Sequence, residues 1–115
     1  MLEELRQVLL QVNSKVFYAA NEYDNDSVTE PPFIIYQETT KRAGLFNDNK
    51  PAFYVSDIQI TLVTKKKDPD LEHVLESTLL QNDYTFEVLS EYRNPDGSIN
   101  RVYEIRLEEY INAKQ

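Results

Sequence analysis

Apolar and polar residues along the chain follow two periods. Ile58, Ile60 and Leu62 alternate with Asp57, Gln59 and Thr61, and a two-residue period places one set in a core and the other on an exposed face. Asp57–Thr64 therefore reads as a strand, and it runs through Lys65-Lys66-Lys67 into Asp68-Pro69-Asp70. That triplet supplies an N-cap acceptor, a proline suited to the first helical position and an acid at the positive end of a helix. Leu71, Val74, Leu75, Thr78 and Leu79 then recur at helical spacing and predict a buried stripe that ends at Asn82-Asp83. Leu2, Leu5, Val8, Leu9 and Val12 fall on one arc of a first helix.

The remaining strands follow from the same alternation. Val16-Phe17-Tyr18 fits a short edge strand, and Phe33–Tyr36, entered through Pro31-Pro32, is continuously apolar as in a strand covered on both faces. Tyr84, Phe86 and Val88 alternate with polar residues. Asn94-Pro95-Asp96-Gly97 is turn chemistry, and beyond it Tyr103, Ile105 and Leu107 face inward, so the chain ends in a hairpin. The expectation is one α+β domain over residues 1–115: a mostly antiparallel sheet of four or five strands with two helices packed on one face.

Two stretches carry neither period. Asn21–Glu30 holds four acids and no base and reads as a solvated loop. Asp24, Asp26 and Glu30 have the spacing that opens a calcium-binding loop, but the turn glycine is missing, Val28 fills a ligand position and Ile35 falls where the bidentate glutamate belongs. No metal is expected there. Thr39–Ala52 reads as a long loop between strands, with the apolar pair Leu45-Phe46 at its tip, either tucked onto the domain or held ready for a partner.

Composition narrows the chemistry. The net charge of −8 disfavours a polyphosphate partner, and sequence-specific nucleic-acid binding is not expected. No apolar run approaches a membrane span, and MLEELRQVLLQ carries charges where a signal peptide would be apolar. The lack of cysteine removes disulfides and thiol nucleophiles. His73 falls on the solvent side of the second helix, with Glu72 and Glu76 beside it, so a sheltered general base is not expected. Paired carboxylates fall at exposed positions, and two glycines leave no phosphate-cradling loop. Neither an enzyme nor a cofactor is expected. Eight tyrosines suit an interface. Gln59, Thr61, Lys65, Lys66 and Lys67 are the candidate contact residues, and the lysine corner could meet Asp24 and Asp26 of a neighbouring copy, head to tail.

The order of these elements, with PPFIIYQ, the run VTKKKDPDLEHVLESTLL and an aromatic hairpin ending YEIRLEE, resembles the tail-terminator (head–tail joining, neck) proteins of long-tailed phages and prophages. The likeness spans residues 2–110 and rests on element order and the basic corner. It implies a non-enzymatic subunit of a ring, expected to be a hexamer, that caps the tail tube, ends its polymerisation and meets the head-side neck or connector protein. It further implies a place in the virion tail or neck after assembly in the host cytoplasm, with no membrane partner. Leu45 and Phe46 would then contact the tube or point toward the lumen. A different reading is an acidic inhibitor that mimics DNA; its acids should line one continuous face, whereas here Lys and Arg are interspersed among them.

Overall fold

The computed structural model describes residues 2–18, 30–45 and 51–110. Asp24, Asp26 and Phe46 lie outside that range. The elements run α1 (Leu2–Leu10), β1 (Val16–Tyr18), β2 (Phe33–Leu45), β3 (Pro51–Thr64), α2 (Pro69–Gln81), β4 (Phe86–Arg93) and β5 (Ile99–Tyr110). The strands form one mixed sheet in the order β1-β2-β3-β5-β4, with β1 parallel to β2 and every other pair antiparallel. The fold is α+β, as the alternation predicts.

Ile58, Ile60 and Leu62 of β3 are buried, flanked by Ile34 and Tyr36 of β2 and by Tyr103, Ile105 and Leu107 of β5. Leu5 and Leu9 of α1 and Leu75 and Leu79 of α2 join the same cluster. Burying one such side chain is worth about 1.5–3 kcal/mol, so this cluster is the main source of cohesion. Helix α2 starts where the sequence places it. The Asp68 side chain accepts the Leu71 amide at 3.1 Å, and Pro69 takes the first helical position. It ends at Asn82, and Asp83 follows in the left-handed region at φ 68° while the Tyr84 amide turns back to the Leu79 carbonyl. The Asn94–Gly97 turn is held by Asp96, which accepts from both the amide and the hydroxyl of Ser98.

Four expectations change. Thr39–Ala52 is for the most part not a loop: β2 continues to Leu45 and β3 begins at Pro51, so a long hairpin replaces it and Leu45 ends a strand. Cross-strand pairing with β3 organises that polar stretch, with a bulge between Glu38 and Thr40 that absorbs one extra residue. Val74 is 45% exposed, whereas Leu75 and Leu79 of the same helix are buried. Glu72, assigned with His73 to solvent, is buried, whereas His73 is exposed. Tyr84 precedes β4, and Val88 is exposed, whereas Phe86 two residues before it packs against the core.

Candidate functional site

Two polar constellations sit on opposite faces of the sheet and at different levels along β5. The first joins α2, β4 and β5. Arg101 of β5 lies among three carboxylates: Glu91 of β4 at 2.9 Å, Glu76 of α2 at 3.2 Å and Glu72 of α2 at 3.7 Å. Lys67 closes the group, 2.9 Å from Glu72 and 2.8 Å from Glu91. The fully buried Tyr103 hydroxyl donates to Glu76 at 2.7 Å and accepts from Arg101 at 2.9 Å. Burial pushes the Tyr103 phenol above its ordinary range, and the Glu76 carboxylate that accepts its proton adds to the shift. Burial works against the charge on Arg101, but Glu91, Tyr103 and Glu72 outweigh it and keep the guanidinium charged. Hydrogen bonds from Lys67 and then Arg101 hold Glu91 below the usual carboxylate range, and those that Lys67 donates to Glu72 and Glu91 raise its own ammonium. Each charged or phenolic side chain named here is tied to at least one other member, so the group works as a clamp between helix and sheet.

The second constellation centres on Asp57, on the face of β3 opposite the core cluster. Thr40 donates to Asp57 at 2.7 Å, Arg106 approaches it at 3.3 Å and Arg42 at 3.6 Å. The Thr40 hydroxyl, followed by Arg106 and Arg42, holds the Asp57 carboxyl below its ordinary range despite partial burial. The strands β2, β3 and β5 are thereby stitched together on the face away from the core cluster. Further out on this arm Phe53 stacks at 45° on Tyr110, with ring centres 5.8 Å apart. Gly44 lies directly beneath the Phe53 ring, which would have to move to admit a Cβ there. Lys41 sits 4.7 Å above the Tyr54 ring. The Ser56 hydroxyl, on the opposite face of the arm, is buried without a hydrogen-bond partner.

No protein-family model matches this chain, and no curated protein does. Its surfaces must therefore be read from their own chemistry.

Gln59 and Thr61 are half-exposed on the polar sheet face, beside the exposed Lys65 and Lys66. Lys67 is exposed as well, but its ammonium is already committed to Glu72 and Glu91, which leaves Lys65 and Lys66 as the outward part of the corner. Asp57, which alternation also assigned to the open face, is tied within the subunit. Sequence reasoning missed the clamp because its members are far apart in the chain. Glu72 at the first turn of α2 and Arg101 in a strand otherwise rich in apolar residues were the available signals. A shallow groove of about 320 Å³ lies between the sheet and the start of β4, lined by Asp57, Thr85, Glu87, Glu104 and Arg106 among others. Among the described residues no group of His, Asp or Glu has the arrangement of a metal site, and no helix is long and apolar enough to cross a membrane.

Proposed function

We propose that this chain is a structural subunit of the tail-terminator type, which assembles as a ring, expected to be a hexamer, caps a phage or prophage tail tube and presents its other side to the head-side connector. The observation that carries this reading is the pairing of a tightly clamped core with an arm that extends well past it. The molecule measures 53 × 30 × 23 Å, and its radius of gyration of 16.0 Å exceeds the roughly 13 Å of a compact chain of this length. An extended arm with exposed side chains suits contact with neighbours. The polar sheet face carrying Gln59 and Thr61, with Lys65 and Lys66 at its corner, adds surface for partner contact. A net charge of −8 suits a ring that lets DNA pass without gripping it. In this reading both helices lie together on one side of the sheet.

The test is addition of the purified protein to polymerising tail tube subunits of a siphovirus-type phage or prophage, followed by electron microscopy. The expected result is ring-shaped density at one end of tubes that no longer elongate. Tubes that grow unaffected and carry no added density would overturn the reading.

A further inference from the structure

The sheet has two edges of unlike character. On one side β4 is the last strand, and all of it except Phe86 is exposed, with Val88, Leu89 and Tyr92 each more than 40% accessible. On the other side β1 covers β2 only from Ile34 to Tyr36. The Glu38 amide, next along that edge, donates to the Tyr18 hydroxyl at 3.1 Å. From Thr40 to Gly44, however, the outer edge of β2 has no strand beside it among the described residues. An unpaired edge is a row of amides and carbonyls that another strand can satisfy.

We propose that copies of this chain join edge to edge, with the β4 edge of one subunit pairing antiparallel to the Thr40–Gly44 edge of β2 in the next. Three observations select a second copy of this chain as the occupant. The first is direction. β2 and β4 run in opposite senses, since three antiparallel pairings separate them, so copies placed side by side in the same sense bring the two edges together antiparallel. The second is charge. The β2 edge carries Lys41 and Arg42, the latter also 3.6 Å from Asp57, whereas β4 carries Glu87 and the clamped Glu91 with only Arg93 opposing them. Two β4 edges would instead set acids against acids, which disfavours a two-fold pairing.

The third observation is height. β4 pairs with Ile99–Ile105 of β5, whereas the Thr40–Gly44 edge lies across β3 from Arg106–Tyr110, a stagger of about six residues. At ~3.3 Å per residue this is ~20 Å along the strands, set against ~19 Å of width for the four strands from β2 to β4. A stagger of that size inclines the strands by ~45° to the axis of a closed ring, at the upper end of the range that closed sheets adopt. An unstaggered joint would give no such tilt. The same stagger lets β4 of one copy dock past the end of β1 in the next without displacing it.

The inference rests on the ring reading for its occupant but can fail without it. Hydrogen–deuterium exchange is measured on the full chain at concentrations below and above self-association, beside sedimentation of Arg42→Glu, Glu87→Arg and the double variant. On assembly the amides of β4 and of residues 40–44 should slow at least tenfold. Each single charge reversal should weaken association at least tenfold, and the double variant should recover most of it. If the wild type assembles while these amides exchange as in the monomer, the edge joint is wrong and the ring reading stands on another surface. Protection of β4 alone, in a dimer, would overturn it in favour of two-fold pairing, and a wild type that stays monomeric at all concentrations would also overturn it. Capping of tail tubes, assayed separately, decides the ring reading whichever of these occurs.

Discussion

The two halves of β3 are held by different physics. From Ile58 to Thr64 the strand sits in the apolar cluster fed by both helices, and the fully buried Tyr103 is locked into the Arg101 clamp. From Phe53 to Asp57 the same strand is held by cross-strand pairs, an aromatic contact and one carboxylate shared by three donors. The first arrangement derives its strength from burial and suits a rigid body. The second leaves edges and side chains exposed and suits attachment to something else. A long strand can thus serve as foundation at one end and as connector at the other.

The largest expected effect lies in the foundation. Ile60→Ala should cost about 3–4 kcal/mol in urea unfolding, against about 1–2 for Val55→Ala in the arm. Equal losses would erase the distinction drawn here. Arg101→Ala should follow at about 2–3 kcal/mol, since it leaves Glu72, Glu76 and Glu91 close together with Lys67, paired to Glu72 and Glu91, as the one cation remaining in the group among the described residues. That value is set below the figure for fully buried pairs because Glu91 is 32% exposed. Arg101→Lys should recover only part of the loss, as one ammonium cannot reach three carboxylates in the geometry of a guanidinium.

Asp57→Ala should cost about 1–2 kcal/mol and raise amide exchange in residues 40–44 and 53–57 more than around Tyr103. Acid should act on the same group. The carboxyls of Asp57 and Glu91 are held below their ordinary range, so their contribution is complete above that range and is lost as pH falls through the lowered values. The acid limb of a stability–pH curve should therefore flatten in Asp57→Asn. The smallest effect has the opposite sign. Ser56→Ala should be neutral or stabilising by up to about 1 kcal/mol, because it removes a buried hydroxyl that has no partner. A clear loss of stability would mean that this hydroxyl is hydrogen-bonded in solution.

Much of the foundation was legible in the sequence because its signals are local. Alternation at Ile58–Leu62 and Tyr103–Leu107, the Asp68-Pro69 helix start and the Asn94–Gly97 turn each depend on neighbours within a few residues. The arm was not legible. TTKRAGL alternates no apolar face, and its strand conformation comes from pairing with Pro51–Asp57, which a single stretch of sequence does not announce. The clamp was hidden for a related reason: Lys67, Glu72, Glu91 and Arg101 meet only after α2 crosses from β3 to β4. Helical spacing also overcounted the stripe at Val74, because periodicity marks a face without saying how wide the covered part is.

Native mass spectrometry at rising concentration is the sharpest check on the proposal that copies of this chain join through their exposed edges into a ring. The account predicts one closed assembly of fixed stoichiometry, expected to be a hexamer, with few intermediates between it and the monomer. A monomer throughout, or an open ladder of ever larger species, would contradict it.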